Sequence, residues 1–191
     1  MVKYEILYED VKQAVSEKRF KHILGVVERA IEYAQIYKVN VEDVKMAAIL
    51  HDIAKEIPQE ESYQMLDKFG VELDEIEKKN FNLVHSKLGA AIAKYQYGLS
   101  DDIVNAISYH TTGRARMTTL EKIIYLADAT EKNRVYVGEL NTLTLDEVVA
   151  LIKKDIDAGL SYVLTFTLKS LLVRNLYIHM DSVEAYNFYK K

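Results

Sequence analysis

The stretch VEDVKMAAILHDIAK, residues 41–55, decides the fold class. Asn40 precedes it as a good helix N-cap, and Glu42 and Asp43 place carboxylates in the first turn, where they suit the helix macrodipole. Val44, Ala47 and Ala48 recur at helical spacing, and His51 continues their stripe seven, four and three residues on. An apolar helix thus delivers an imidazole, and one residue later the Asp52 carboxylate, into ground that would otherwise be core. A buried carboxylate without a cation or several donors is costly, so the same stretch predicts a helix and a site.

The flanking sequence repeats the helical period. Ile23, Val26, Val27, Ala30, Ile31 and Ala34 form one stripe between about Arg19 and Lys38, with His22 near its start. Pro58 opens a third helix that closes at Gly70, and Asp74 to Asn80 reads as a solvated connection. Further helices are expected from Leu83 to Tyr97, closing at Gly98, and from Ser100 to about His110. Thr118 to Glu121 and Thr144 to Glu147 fit the capping-box pattern, with a loop from Asn133 to Asn141 between the helices they start. The pattern stays helical from Val148 to Arg174, interrupted at Gly159, and Ser182 to Tyr189 adds a short terminal helix.

Composition agrees. The chain has 191 residues, 49% of them hydrophobic and 28% charged, with 7 Gly and 1 Pro, which leaves little material for the turns of a β-rich fold. The expectation is an all-α, single-domain protein over residues 1–191, with its core at about 19–174 and a C-terminal extension at about 175–191. A net charge of −4 gives no footprint for duplex nucleic acid or an anionic membrane surface. No run approaches the roughly 18 apolar residues of a membrane span, and the N-terminus lacks a signal-peptide core, so a cytoplasmic protein is expected. The absence of Cys removes disulfides, thiolate nucleophiles and sulfur ligation, leaving His, Asp and Glu for any metal.

Four of the five His fall at inward-facing helix positions. His110 continues Ile103, Ala106 and Ile107 as His51 continues its own stripe, and Asp128 lies four residues after Ile124 in KIIYLAD. Two carboxylates and several imidazoles aimed into one helical core suggest a metal site. His179, followed by Met180 and Asp181, reads as a satisfied core histidine outside it.

The order His22, His51-Asp52 in AAILHDIAK, His85, His110 in YHTTG and Asp128 in KIIYLAD resembles the HD-domain metal-dependent phosphohydrolases. More narrowly it resembles their YqeK-like branch, the symmetrical diadenosine tetraphosphate hydrolases. The resemblance spans about Arg19 to Arg174. One departure is visible: the stretch after Asp128 resembles Ile-Glu-Pro-x-Arg in the family, and here reads Ala129-Thr130-Glu131-Lys132-Asn133-Arg134, keeping the Arg and losing the Pro.

The resemblance implies a compact HD-domain helical bundle with two divalent metal ions. Iron is the first expectation, with manganese or zinc as alternatives. His22, His51, Asp52 and Asp128 would hold one ion, and Asp52 would bridge to a second held by His85 and His110. The implied reaction is cleavage of diadenosine tetraphosphate to two ADP by a metal-activated water. Asp52, Lys55 and Arg134 are the catalytic candidates, and Lys55, Thr111, Thr112, Gly113, Arg114 and Arg134 the phosphate-binding ones. Lys55 qualifies by lying one helical turn beyond His51, whereas Lys87 should face another way from His85. A nucleotide is the expected partner, nucleic acid and membrane are not, and a homodimer stays open. Nucleotide phosphatases, alarmone hydrolases and non-catalytic nucleotide sensors of the same superfamily are the alternatives.

Overall fold

Helix caps written into the sequence set most of the observed boundaries. The computed structural model describes residues 2–132 and 143–190, and among them it is all-α. The chain runs through α1 (Tyr4–Ala14), α2 (Glu17–Tyr37), α3 (Val41–Leu50), α4 (Gln59–Phe69), α5 (Glu75–Lys79) and a short 3-10 turn at Phe81–Leu83. It continues through α6 (Val84–Tyr95), α7 (Asp101–Ser108), α8 (Thr119–Thr130), α9 (Leu145–Lys154), α10 (Ile156–Val173) and α11 (Met180–Tyr189). The Ser16 hydroxyl accepts from the Arg19 amide, Asn40 from that of Glu42, Thr118 from that of Glu121 and Thr144 from that of Glu147. Of the two threonine caps, Thr144 completes the reciprocal box and Thr118 does not, the Glu121 carboxylate being bound by Arg114. Gly70 and Gly98 end their segments with φ of 67° and 63°, the left-handed backbone that costs glycine least.

The long α2 lies against α3 and α8, and α3 in turn meets α7. Ile23, Val26, Val27, Ala30 and Ala34 are buried there with Val44, Ala47, Ala48, Ile107, Ile123 and Ile124. Several elements depart from the sequence expectation. An additional helix, α1, buries Leu7 and Val11 completely, and Ala185 and Tyr189 join the same core, which therefore reaches beyond residues 19–174 at both ends. Residues 74–80 are not merely a solvated link: Asp74 caps α5 in a full capping box, and Glu77 is buried in contact with Lys87 at 3.4 Å. The expected loop from Asn133 to Asn141 lies outside the described residues.

The break after α9 falls at Asp155, whose carboxylate caps α10 at the amides of Asp157 and Ala158. Gly159 lies within α10, where it allows close approach to α9. α10 has 18 residues and a mean hydropathy of 1.4, long and apolar enough to cross a membrane by length and composition, which corrects the reading that no such run exists. The run is hidden in the sequence by Asp157, Lys169 and interspersed hydroxyl residues. Here α10 packs against α8, α9 and α11.

A Cβ added at Gly159 would stand 2.3 Å from Ile152 Cγ1 and 2.9 Å from Ile152 Cα, so the two helix backbones must part. Gly159→Ala should lower the unfolding free energy by about 1–3 kcal/mol despite its better helix propensity. Urea denaturation checks this, and a variant as stable as the parent would refute the close packing.

Candidate metal centre

Three of the histidines are oriented by their own local backbone. His51 directly follows α3, and its Nδ1 donates to the Ala48 carbonyl at 2.7 Å. His110 lies just past α7 and donates to Ile107 at 2.7 Å, while His85, in the first turn of α6, donates to Asn82 at 2.7 Å. Each ring turns back onto the carbonyl three residues before it. A carbonyl can only accept, so each Nδ1 carries a proton, and in the neutral ring each Nε2 presents a lone pair. His22, on the first turns of α2, is the exception, because its Nδ1 faces the buried Glu131 carboxylate at 3.3 Å, 109 residues away.

These lone pairs surround Asp52, which is 4% exposed. Its Oδ2 is 3.6 Å from Nε2 of both His22 and His51, and its Oδ1 is 3.1 Å from that of His85 and 3.7 Å from that of His110. Asp128 closes the first group, with Oδ1 3.1 Å from His22 Nε2 and 3.9 Å from His51 Nε2. All six predicted ligands are therefore brought to one place, with the two carboxylate oxygens of Asp52 turned to different imidazole pairs.

Burial pushes the His51 and His85 imidazoles down to about 4, so both are neutral at pH 7 and keep their lone pairs. Burial opposes the charge on Asp52, whereas His51, His110 and His85, once protonated in acid, hold its carboxyl below the ordinary range. Two features fit this shell to a cation. His51 Nε2 is buried with no hydrogen-bond partner. His85 and His110 bring their Nε2 atoms to 3.1 Å of one another although the Nδ1 of each already donates to a carbonyl, so two acceptors face each other. A positive ion between facing lone pairs and a carboxylate resolves both, and the nitrogen and oxygen donors suit a divalent transition metal.

The centre opens into a cavity of about 650 Å³, in the size range of small-ligand sites. Lys55 lines it, with Nζ 3.2 Å from Nδ1 and 3.5 Å from Nε2 of His85, and Thr111 lines it too. Thr112 and Gly113 are not among the lining residues. The Thr112 carbonyl accepts from Ser182 on α11, and a Cβ on Gly113 would meet Ala185, Leu164 and Met117. Arg114 is bound bidentately to Glu121 at 2.7 Å for both bonds and lies over the Tyr109 ring, instead of lining the cavity. Arg134 lies outside the described residues. His179 stands apart, donating to Asp74 at 2.6 Å.

Besides Glu131, two polar residues in and around the centre were not singled out from the sequence. Arg19 lines the cavity and donates from Nη1 to Asp52 Oδ2 at 2.8 Å; it lies one helical turn before His22, a spacing that could have drawn attention to it. Glu56 accepts from the Ser16 amide at 2.6 Å and its hydroxyl at 2.8 Å, clipping the start of α2 to the turn that carries Asp52.

Comparison with known proteins agrees with this geometry. Residues 19–133 match the HD domain family. The chain is 36% identical over 179 residues to a protein of Bacillus subtilis (strain 168) named symmetrical bis(5'-nucleosyl)-tetraphosphatase, covering 93% of this chain and 92% of that one. It is 34% identical over 178 residues to a protein of the same name from Halalkalibacterium halodurans, covering 93% and 91%. A crystal structure from Clostridium acetobutylicum, described as a predicted HD superfamily hydrolase involved in NAD metabolism, superposes with a TM-score of 0.90 at 33% identity, covering 99% of this chain and 97% of that one. The facing imidazoles, the twofold disposition of Asp52 and the matched length all lead to one assignment: the chain belongs to the HD-domain family, whose His/Asp shell here binds divalent metal.

Proposed function

We propose that this protein hydrolyses diadenosine tetraphosphate symmetrically, one water adding across the central phosphoanhydride so that two ADP leave. The observation that carries the reading is the division of Asp52, one oxygen toward His22 and His51 and the other toward His85 and His110. The names of the Bacillus and Halalkalibacterium relatives supply the substrate.

In this reading His22, His51, Asp52 and Asp128 would hold one divalent ion, and Asp52, His85 and His110 a second. Iron is expected first, with manganese or zinc as alternatives, because the donor set is imidazole-rich and without sulfur. When bound, such a pair lowers the pKa of a shared water and stabilises charge on the reacting phosphoryl oxygens.

The chain supplies the remaining work. Nδ1–H bonds to Ala48, Asn82 and Ile107 fix three rings, so that each keeps its Nε2 aimed inward without reorganisation. Lys55 adds a mobile cation beside His85, placed to meet phosphate oxygens as they gain charge. Arg19 neutralises Asp52 and shows part of its side chain to the cavity, where its fork suits a phosphate. Thr111 offers a hydroxyl, and Arg134 completes the proposed phosphate contacts from the sequence alone.

Asp52→Ala should abolish hydrolysis and lower bound metal, whereas Lys55→Ala should keep the metal and lose about 1.5–3 kcal/mol of transition-state stabilisation, the range for a hydrogen bond to a charged group. Metal analysis and steady-state kinetics with product identification, on the same samples, check both. Products other than ADP from the symmetrical substrate would reject the proposed bond cleavage.

Protonation gives an independent test. His51 and His85 titrate near 4 in the folded apoprotein against 6.5 when unfolded, so between those values the unfolded chain binds more protons. Stability of the chelator-treated protein should therefore fall as pH drops from 6.5 toward 4, by up to about 1.4 kcal/mol per pH unit per histidine. Asp52, whose ordinary value is 3.8 and whose folded value is lower, loses its contribution only at more acid pH. Urea midpoints at pH 7 and pH 5 measure the effect, and equal midpoints would contradict it.

A further inference from the structure

The end of α10 fixes the position of one more cation. Arg174 follows its last residue, Val173, and Asn175 behind it adopts φ 51°, the left-handed backbone of a helix stop. The Asn175 and Leu176 amides turn back onto the Leu172 and Leu171 carbonyls at 3.1 and 2.9 Å, so the last turn closes around Arg174. Thr167, Ser170 and Arg174 all line the cavity, at i, i+3 and i+7 on one side of the helix. The backbone of Arg174 is thus locally set, and its side chain is exposed at the cavity mouth.

The described cations that line the cavity differ in what already holds them. Arg19, on α2, is bonded to Asp52, and Lys55, just past α3, stands beside His85. Arg174 has no carboxylate partner among the described residues. The described lining carboxylates are Asp52 and Asp128, both in the metal shell, so neither is left over to neutralise it. Along α10, Arg174 stands seven residues past Thr167, roughly 10 Å at 1.5 Å per residue. Thr167 is hydrogen-bonded to Tyr125, which lies one helical turn before Asp128 on α8. Arg174 is therefore carried away from the level at which α10 meets the helix that bears Asp128.

We propose that Arg174 is a further substrate-binding residue, which grips an outer phosphate of the tetraphosphate chain, away from the anhydride that is cleaved. This rests on the diadenosine tetraphosphate reading above and adds a residue to it. The central anhydride belongs at the metal centre, so a chain of four phosphates must continue past it on both sides. A guanidinium at the mouth, on a different element from Arg19 and Lys55, presents a planar fork of donors to phosphate oxygens there. Such a contact lies apart from the reacting bond and is equally strong before and in the transition state. It therefore lowers KM and leaves kcat alone. Because the side chain is exposed, salt screens the contact.

The test uses the full-length, metal-loaded protein. Arg174→Ala should raise KM for diadenosine tetraphosphate about tenfold, the size of one hydrogen bond to a charged group, and hold kcat within about twofold. As a competitive inhibitor, inorganic tripolyphosphate should weaken by about the same factor, whereas orthophosphate, which reaches only the metal centre, should not change. KM of the wild type should rise with salt more steeply than that of the variant, which has lost one screened contact. Arg174→Lys should recover part of the affinity, since it keeps the charge and loses the fork. An arginine at a helix C-terminus also suits the negative end of the macrodipole. If that were its whole role, Arg174→Ala would lower the urea midpoint but leave KM, the salt slope and tripolyphosphate inhibition as they are, and the proposal would fall. A lower kcat at unchanged KM, or equal weakening of both inhibitors, would overturn it as well. Wild-type protein that takes up divalent metal but does not cleave diadenosine tetraphosphate would instead remove the substrate reading, and this contact with it.

Discussion

The structure turns on one constraint, the burial of the Asp52 carboxylate among imidazoles whose second nitrogens are already committed. A neutral ring that donates Nδ1–H to a carbonyl has only a lone pair left on Nε2, so His51, His85 and His110 in that form offer Asp52 no proton. Negative charge and lone pairs thus converge at one point, relieved in the protein itself by Arg19 on a single carboxylate oxygen. Such an arrangement is costly to fold unless a cation joins it, which ties stability and metal binding together.

How the rings are held separates local from global information. His51, His85 and His110 each use the carbonyl three residues before them, at or beside a helix end, where such acceptors are left over. Their orientation is thus a property of short sequence segments, and only the meeting of the helix ends is long-range. His22 is different, because its partner Glu131 comes from the far end of α8. That pairing depends on how α2 meets α8, where Tyr33 bonds Thr130 at 2.8 Å and Arg29 Nε donates to the Thr130 carbonyl at 3.1 Å. The same contact brings Asp128 within 3.1 Å of His22.

This division explains what could be read from the sequence. The helices stood out where an apolar stripe coincided with a cap, as at Asn40 with Val44 and Ala47, or Thr144 with Val148 and Ile152. α1 went unseen because only Leu7 and Val11 of its eleven residues are buried, too few to mark a stripe. α5 is a single turn whose buried Glu77 looks like surface until Lys87 is placed beside it. The candidate ligands followed from order and resemblance, whereas Arg19, Glu56 and Glu131 act through contacts 33 to 109 residues distant, for which no periodicity gives notice.

The cations show why nearness in sequence to a ligand is a poor guide by itself. Lys55 and Arg114 each stand four residues after a histidine of the centre, yet only Lys55 reaches the cavity. From His51 the chain keeps turning in helical sense, with the Lys55 amide bonded to the Asp52 carbonyl, so the four-residue spacing returns the side chain to the same face. Between His110 and Arg114 stands Gly113 at φ 64°, a left-handed residue that breaks that register. Arg114 is thereby turned onto Glu121 and Tyr109, where it braces the start of α8. The single backbone reversal thus gives two cationic candidates opposite fates, and it leaves Arg19, Lys55 and Arg174 as the described cations lining the cavity, inside a chain whose net charge is −4.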